Sequence, residues 1–403
     1  MTRFFISIIV IFCVLFTACK NTSQTENKGI RVIDVAGGVG KSRLVNLSEI
    51  ADSIEYIPLE TTSESIFKPY LFVFYEKDMV YFPQRNGIIQ LFDYEGKYIR
   101  TFNRSGRGPQ EYERMAYIDI DNSSGNICVE SFKKILEYTE SGLIVKIINF
   151  PEEEEFLRHS TFPFKKVGEF YVFENKMTYS AIAIDSLSKI RVKLKFPQEQ
   201  LELIKKFKNS LPSMDTYIYK FKDKIRVVTG NNKNILTLDK NLSVDTAFII
   251  NYGKYNIANA GSEKITPNSP YLWRKSDFFE SNNYLFMQFH VGPLADKPVK
   301  MLNADRKEYT YPQSCSVFNK KNGEFTFLDQ PEINQSGFVE DIEGGPAVWP
   351  KYISADNYLI SFIPAEEFIA HAENHKVSEK FKKIAEGLKE TDNPVLVRVK
   401  LKN

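Results

Sequence analysis

Cysteine is scarce. The 403-residue chain has four, and two of them, Cys13 and Cys19, fall within the first 20 residues. The remaining pair, Cys128 and Cys315, is too few to form a disulfide framework for so long a chain. Both are expected as small apolar strand residues carrying free thiols, with Cys128 in a second repeat unit and Cys315 in a fifth. Tryptophan (2) and histidine (4) are also rare, and only His371 and His375 stand at a helical i, i+4 spacing. Without a His-Glu-x-x-His pattern that pair reads as a solvated helix face, so neither a metal nor a cofactor is expected. A single-sign charge excess is missing: 53 basic residues against 51 acidic ones leave +2, which excludes a nucleic-acid-binding surface. A Gly-x-Ser-x-Gly nucleophile elbow is absent too.

What is present begins with the leader. Arg3 precedes an apolar run from Phe4 to Phe16, short of the roughly 20 residues of a spanning helix. Thr17-Ala18-Cys19 then resembles the lipobox of bacterial lipoproteins. That resemblance implies a signal peptide over 1–18, cleavage before Cys19 and acylation of Cys19, which anchors the protein to a membrane. Residues 19–45 are expected to form a flexible tether, since "KNTSQTENKGI" has few large apolar side chains. No acidic run follows Cys19, which favours the periplasmic face of the outer membrane over the cell surface.

"GGVGKS", Gly37 to Ser42, looks like a phosphate loop. Such a loop needs Gly-x-x-x-x-Gly-Lys-Ser/Thr between a strand and a helix, and the first glycine position is occupied by Val35. No strand and helix alternation follows. The segment is a glycine-rich connector, and no nucleotide is expected.

Beyond residue 50 the chain breaks into short strand-like runs separated by turn residues. Leu71 to Phe102 gives four runs, parted at Lys77-Asp78, Arg85-Asn86-Gly87 and Glu95-Gly96-Lys97, as in an antiparallel meander. The third run ends alike in each unit: "LFDYEGK" at Leu91, "EYTESGL" at Glu137, "AIDSLSK" at Ala183, "TLDKNLS" at Thr237 and "VFNKKNG" at Val317. Spacings of about 46, 46, 54 and 80 residues indicate propeller blades, the later ones stretched by insertions. Insertions are placed at Pro197 to Asn209 (helical), Asn251 to Pro270 (a polar loop) and Ala365 to Leu388 (one amphipathic helix). "PEEEEF", Pro151 to Phe156, reads as a solvated loop. The sixth blade must come from the C-terminal strands. Asp52 to Glu60 has no meander of its own and is expected to pair into that blade, sealing the ring. The fold predicted is all-β: a six-bladed β-propeller of four-stranded antiparallel blades over 46–403, with a helical insertion near the C-terminus.

From Phe92 to Leu143 the chain resembles NHL repeats. More broadly it is similar to six-bladed β-propeller lipoproteins of Bacteroides and relatives, through "YIPLETT" (Tyr56), "GRGPQEY" (Gly106), "DIEGGPAVWP" (Asp341) and "DNPVLVRVKLK" (Asp392). That family has no common activity, so the resemblance implies a fold and an envelope address.

Two loops supply candidate ligand residues. Arg104, Arg107, Glu111 and Tyr112 could grip a carboxylate or sugar acid, though the loop also fits a linker between blades. Asp341, Glu343 and Trp349 could bind a sugar by stacking and hydrogen bonding, though Trp349 also fits packing between blades. Asp119 and Asp121 resemble the calcium ligands of six-bladed lactonases but more simply end an inner strand. These readings lead to a non-enzymatic binding or scaffold lipoprotein with a protein or glycan partner. The alternative is an envelope hydrolase or lyase, metal-assisted or not, acting on a lactone or carbohydrate.

Overall fold

A computed structural model of the chain describes residues 29–68, 72–152, 162–174, 179–207, 216–261, 265–275 and 278–403. The signal peptide, Cys19 and most of "PEEEEF" lie outside them. Six antiparallel sheets form the blades of a propeller. Blade one holds Phe74–Glu76, Met79–Pro83, Ile89–Asp93 and Tyr98–Phe102, from the axis outward. Blade two runs from Tyr117–Ile120 to Ile144–Asn149, blade three from Phe164–Val167 to Ile190–Lys195, and blade four from Thr216–Phe221 to Val244–Ile250. In blade five two short inner pieces, Trp273–Arg274 and Phe279–Glu280, pair with Tyr284–His290. Blade six comprises Tyr352–Ile353, Tyr358–Ile363, Val395–Leu401 and, outermost, Ala51–Pro58.

The recurring third-strand ending has a local cause. Asp93 Oδ1 accepts the amides of Glu95 and Lys97 at 3.0 and 2.9 Å. Asp185 does the same for Leu187 and Lys189, and Asp239 for Asn241 and Ser243. A carboxylate closing its own hairpin turn leaves no orphan amide there.

The ring closes as the sequence indicates. Ile54 opposes Val399, Tyr56 opposes Val397 and Pro58 opposes Val395. Tyr56 packs edge-on against both Phe368 and Phe381, and its hydroxyl donates to Glu340 at 3.0 Å. Arg398, on the neighbouring strand, donates to Glu55 and to the Tyr75 hydroxyl of blade one, so the seam joins three elements.

Two expectations need correction. The tether does not extend to residue 45. Arg31–Ile33 adds a fifth, parallel strand to the rim of blade four, with Ile33 opposite Ile250. Ile33 and Val35 are completely buried, and that apolar gain outweighs the cost of ordering a glycine-rich segment. Gly38 lies against the Phe325 ring where a β-carbon would collide, so a glycine of "GGVGKS" serves packing. The C-terminal amphipathic stretch is two helices, Ala365–Asn374 and Glu379–Glu386, rather than one. Ser378 caps the second, and Phe368 and Phe381 stack at 3.9 Å between them.

Cys128 and Cys315 are free and buried in blades two and five. Burial raises both thiols, Cys315 to about 12.

Candidate functional site in the central channel

Six short inner strands leave a void of about 830 Å³ along the axis, inside the range of small-ligand pockets. An inner strand has a free edge, and its unpaired backbone groups need partners. Acidic side chains from the preceding blade supply some of them. Asp119 Oδ2 accepts the Lys166 amide at 2.8 Å, and Glu174 accepts the Ile218 amide at 3.1 Å.

The acids around the channel are engaged by cations. Lys220 Nζ lies 2.6 Å from Asp119 and also donates to Ile120 O and Asn122 Oδ1. Lys165 stands 3.5 Å from Asp119 and over the Phe74 ring. Between blades two and three, Lys166 bridges Asp121 at 2.7 Å and Glu137 at 2.8 Å. Although burial opposes it, the Lys166 hydrogen bond holds the Asp121 carboxyl well below the usual carboxylate range. Glu280 of blade five accepts from Arg226, Lys320 and the Tyr219 hydroxyl, all within 3.1 Å. Among the described residues no group of three or more His, Cys, Asp or Glu is placed to hold a metal ion.

Glu76 and Glu130 differ from these. Burial lifts Glu76 to about 7, against the opposing hydrogen bond donated by the Tyr352 hydroxyl at 2.6 Å. Glu130 is fully buried with neither oxygen hydrogen-bonded, and burial pushes it up to about 8, with Arg114 pulling the other way. The folded protein therefore keeps this proton up to about pH 8, whereas an unfolded chain loses it near 4.5. Folding binds a proton within that window, so Glu130 makes stability fall as pH rises through it, by at most about 1.4 kcal/mol per pH unit. Glu130→Gln is expected to flatten the decline. Urea midpoints at pH 5 and pH 8 measure it, and an unchanged difference would refute the assignment.

The loop residues singled out from sequence occupy other surroundings. Arg104 and Arg107 are exposed, and Glu111 folds back to accept the Gly108 amide at 2.7 Å. Tyr112 is buried against Phe102 and Tyr138, donates to Gly87 O at 2.7 Å and reaches the channel wall with its ring. In the second loop, Asp341 accepts from the amide and hydroxyl of Ser48, while Glu343 accepts from the Ser378 hydroxyl. Trp349 stacks on Phe338 and meets Phe286 edge-on. The two groups are not brought together. The sequence reading passed over Glu340, a buried carboxylate that gathers Tyr56, Ile342, Glu343 and Gly345. His371 is buried and bonded to Gly344 O rather than part of a solvated face.

Comparisons with known proteins give a family for the chain and one solved structure of similar fold. The family model "Domain of unknown function (DUF4934)" matches residues 30–400. A structure from Bacteroides fragilis, described as an exported protein, superposes with a TM-score of 0.62 at 14% identity, covering 92% of this chain and all of that one. A DUF4221 family member from Bacteroides vulgatus gives 0.47 at 12% identity, covering 87% and 97%. An inactive virginiamycin B lyase from Staphylococcus aureus gives 0.41 at 12% identity, covering 86% and 99%. No curated protein matches in sequence.

Proposed function

Because the chain belongs to the DUF4934 family, which carries no assigned reaction, we propose from its own residues that it is an envelope-anchored binding lipoprotein. It is held through acylated Cys19 on the periplasmic face of the outer membrane, and its central channel receives a glycan or protein segment. One observation carries the binding role. The channel wall combines aromatic side chains, Phe72, Tyr117, Tyr217 and Phe279 among them, with basic ones, while Asp119 and Glu280 are already bonded to neighbouring blades. Such a wall offers contact area and donors rather than a free carboxylate pair for acid–base chemistry. The hydrolase or lyase alternative draws on Glu76, whose carboxyl is poised near neutrality but buried and tied to Tyr352.

The anchor and the channel are tested separately. In cells, Cys19→Ser is expected to abolish incorporation of a labelled fatty acid and move the protein to the soluble fraction; retained label overturns the anchor. In the mature protein, Ala116→Trp fills the channel wall without removing a polar contact. It is expected to weaken ligand binding at least about tenfold at unchanged melting temperature. Undiminished binding places the site elsewhere.

A further inference from the structure

The direction of the blades sorts the channel into two ends. Lys351 directly precedes the inner strand of blade six, Phe72 stands two positions before that of blade one, and Arg114 three positions before that of blade two. Asn86 lies in the turn between the second and third strands of blade one, which returns to the same end. All four line the cavity, as does Tyr217 near the start of the blade four inner strand.

The cations at this mouth feel carboxylates only at a distance, Arg114 the buried Glu130 and Lys351 Glu367. Among the described residues neither the exposed Arg114 nor Lys351 has a carboxylate within ion-pair distance. Lys351 is half-buried over the Phe362 ring at 4.7 Å, where burial lowers its affinity for a proton. Glu367 attracts this ammonium without forming an ion pair with it, so a closer anion would still offset its burial. Two acids line this end: Glu113, which is exposed, and Glu174, which is buried at the close of the second strand of blade three and accepts the Ile218 amide. The wall beside the cations is aromatic and amide-bearing, namely Tyr117, Tyr217 and Asn86, rather than a nest of glycine amides. Bare phosphate would favour backbone amides. A ring with hydroxyls and a carboxylate fits this combination better, because the tyrosines cover its face and the amide meets its hydroxyls.

We propose that the channel selects an acidic saccharide, its carboxylate held at the mouth by Arg114 and Lys351 and its sugar rings laid along Tyr117 and Tyr217. This rests on the channel being the binding site. A cavity of about 830 Å³ lies toward the upper end of the range of small-ligand sites, room for a short oligosaccharide.

Calorimetric titration of the mature protein with a galacturonic acid trisaccharide, its methyl ester and inorganic phosphate tests the assignment. The acid is expected to bind at least tenfold more tightly than the ester, and to weaken as salt rises. Lys351→Met and Arg114→Gln should each weaken the acid about tenfold while leaving the ester unchanged. Equal affinity for acid and ester, indifference to both substitutions, tighter binding of phosphate, or no binding of the acid overturns the proposal. If acid and ester bind equally and Ala116→Trp abolishes both, acid selectivity fails while the channel stands as the site. If the acid binds undiminished in Ala116→Trp, the channel reading itself fails.

Discussion

Glu280→Ala is expected to cost about 3–5 kcal/mol of stability, read as a large drop in the urea midpoint. Its side chain is wholly inaccessible and neutralises two cations at once, Arg226 at 2.8 Å and Lys320 at 3.0 Å. The Tyr219 hydroxyl completes the set. Truncation would strand a guanidinium and an ammonium between blades four and five, beside the rings of Phe221 and Phe248 and the Tyr219 hydroxyl but with no carboxylate bonded to them. The cost arises from those uncompensated charges rather than from the strength of the ion pair. The triple change Glu280→Leu, Arg226→Met and Lys320→Met should accordingly recover most of the loss. A single-variant loss under about 1 kcal/mol would show that water reaches the network and screens it.

Deleting Ala51–Pro58 should have a larger consequence still. Without it Val395–Leu401 becomes an outer edge, and Tyr56 is withdrawn from its packing against the stacked Phe368 and Phe381. Removing a core aromatic alone costs about 3–5 kcal/mol, and an unpaired apolar edge promotes association. The expected result is aggregation or loss of a cooperative transition. Addition of a peptide spanning residues 49–60 should restore a monomer, because the missing strand is its own complement. A deletion variant that stays monomeric with an unchanged midpoint would mean that the ring is held elsewhere.

The blades were legible because their signal is local. An aspartate or asparagine ending the third strand, as at Asp93, Asp185, Asp239 and Asn319, closes its own turn, and the chain repeats it at blade length. Closure was legible through an orphan strand that had to pair somewhere. The channel was not legible. Its wall is assembled from all six blades, one to five residues from each inner strand and others from the flanking loops, so Lys351, Arg114 and Tyr217 lie far apart in sequence and share no motif. Conspicuous glycine-rich loops drew the site expectation instead, and their charged residues mostly serve local turns and seams: Glu111 on Gly108, Asp341 on Ser48. Ile33 and Val35 were a missed signal for the tether, two apolar positions beside Asp34, which caps a helical turn.

The added strand on blade four also sets an orientation. Arg31–Ile33 runs parallel to Val244–Ile250, the fourth strand of a meander whose first strand leaves the Lys351 and Arg114 mouth, so it travels back toward that mouth. The polypeptide therefore enters the ring from the opposite face. If Cys19 carries the lipid proposed above, the chain would run back to the bilayer from the face opposite the basic opening, leaving that opening to whatever diffuses past.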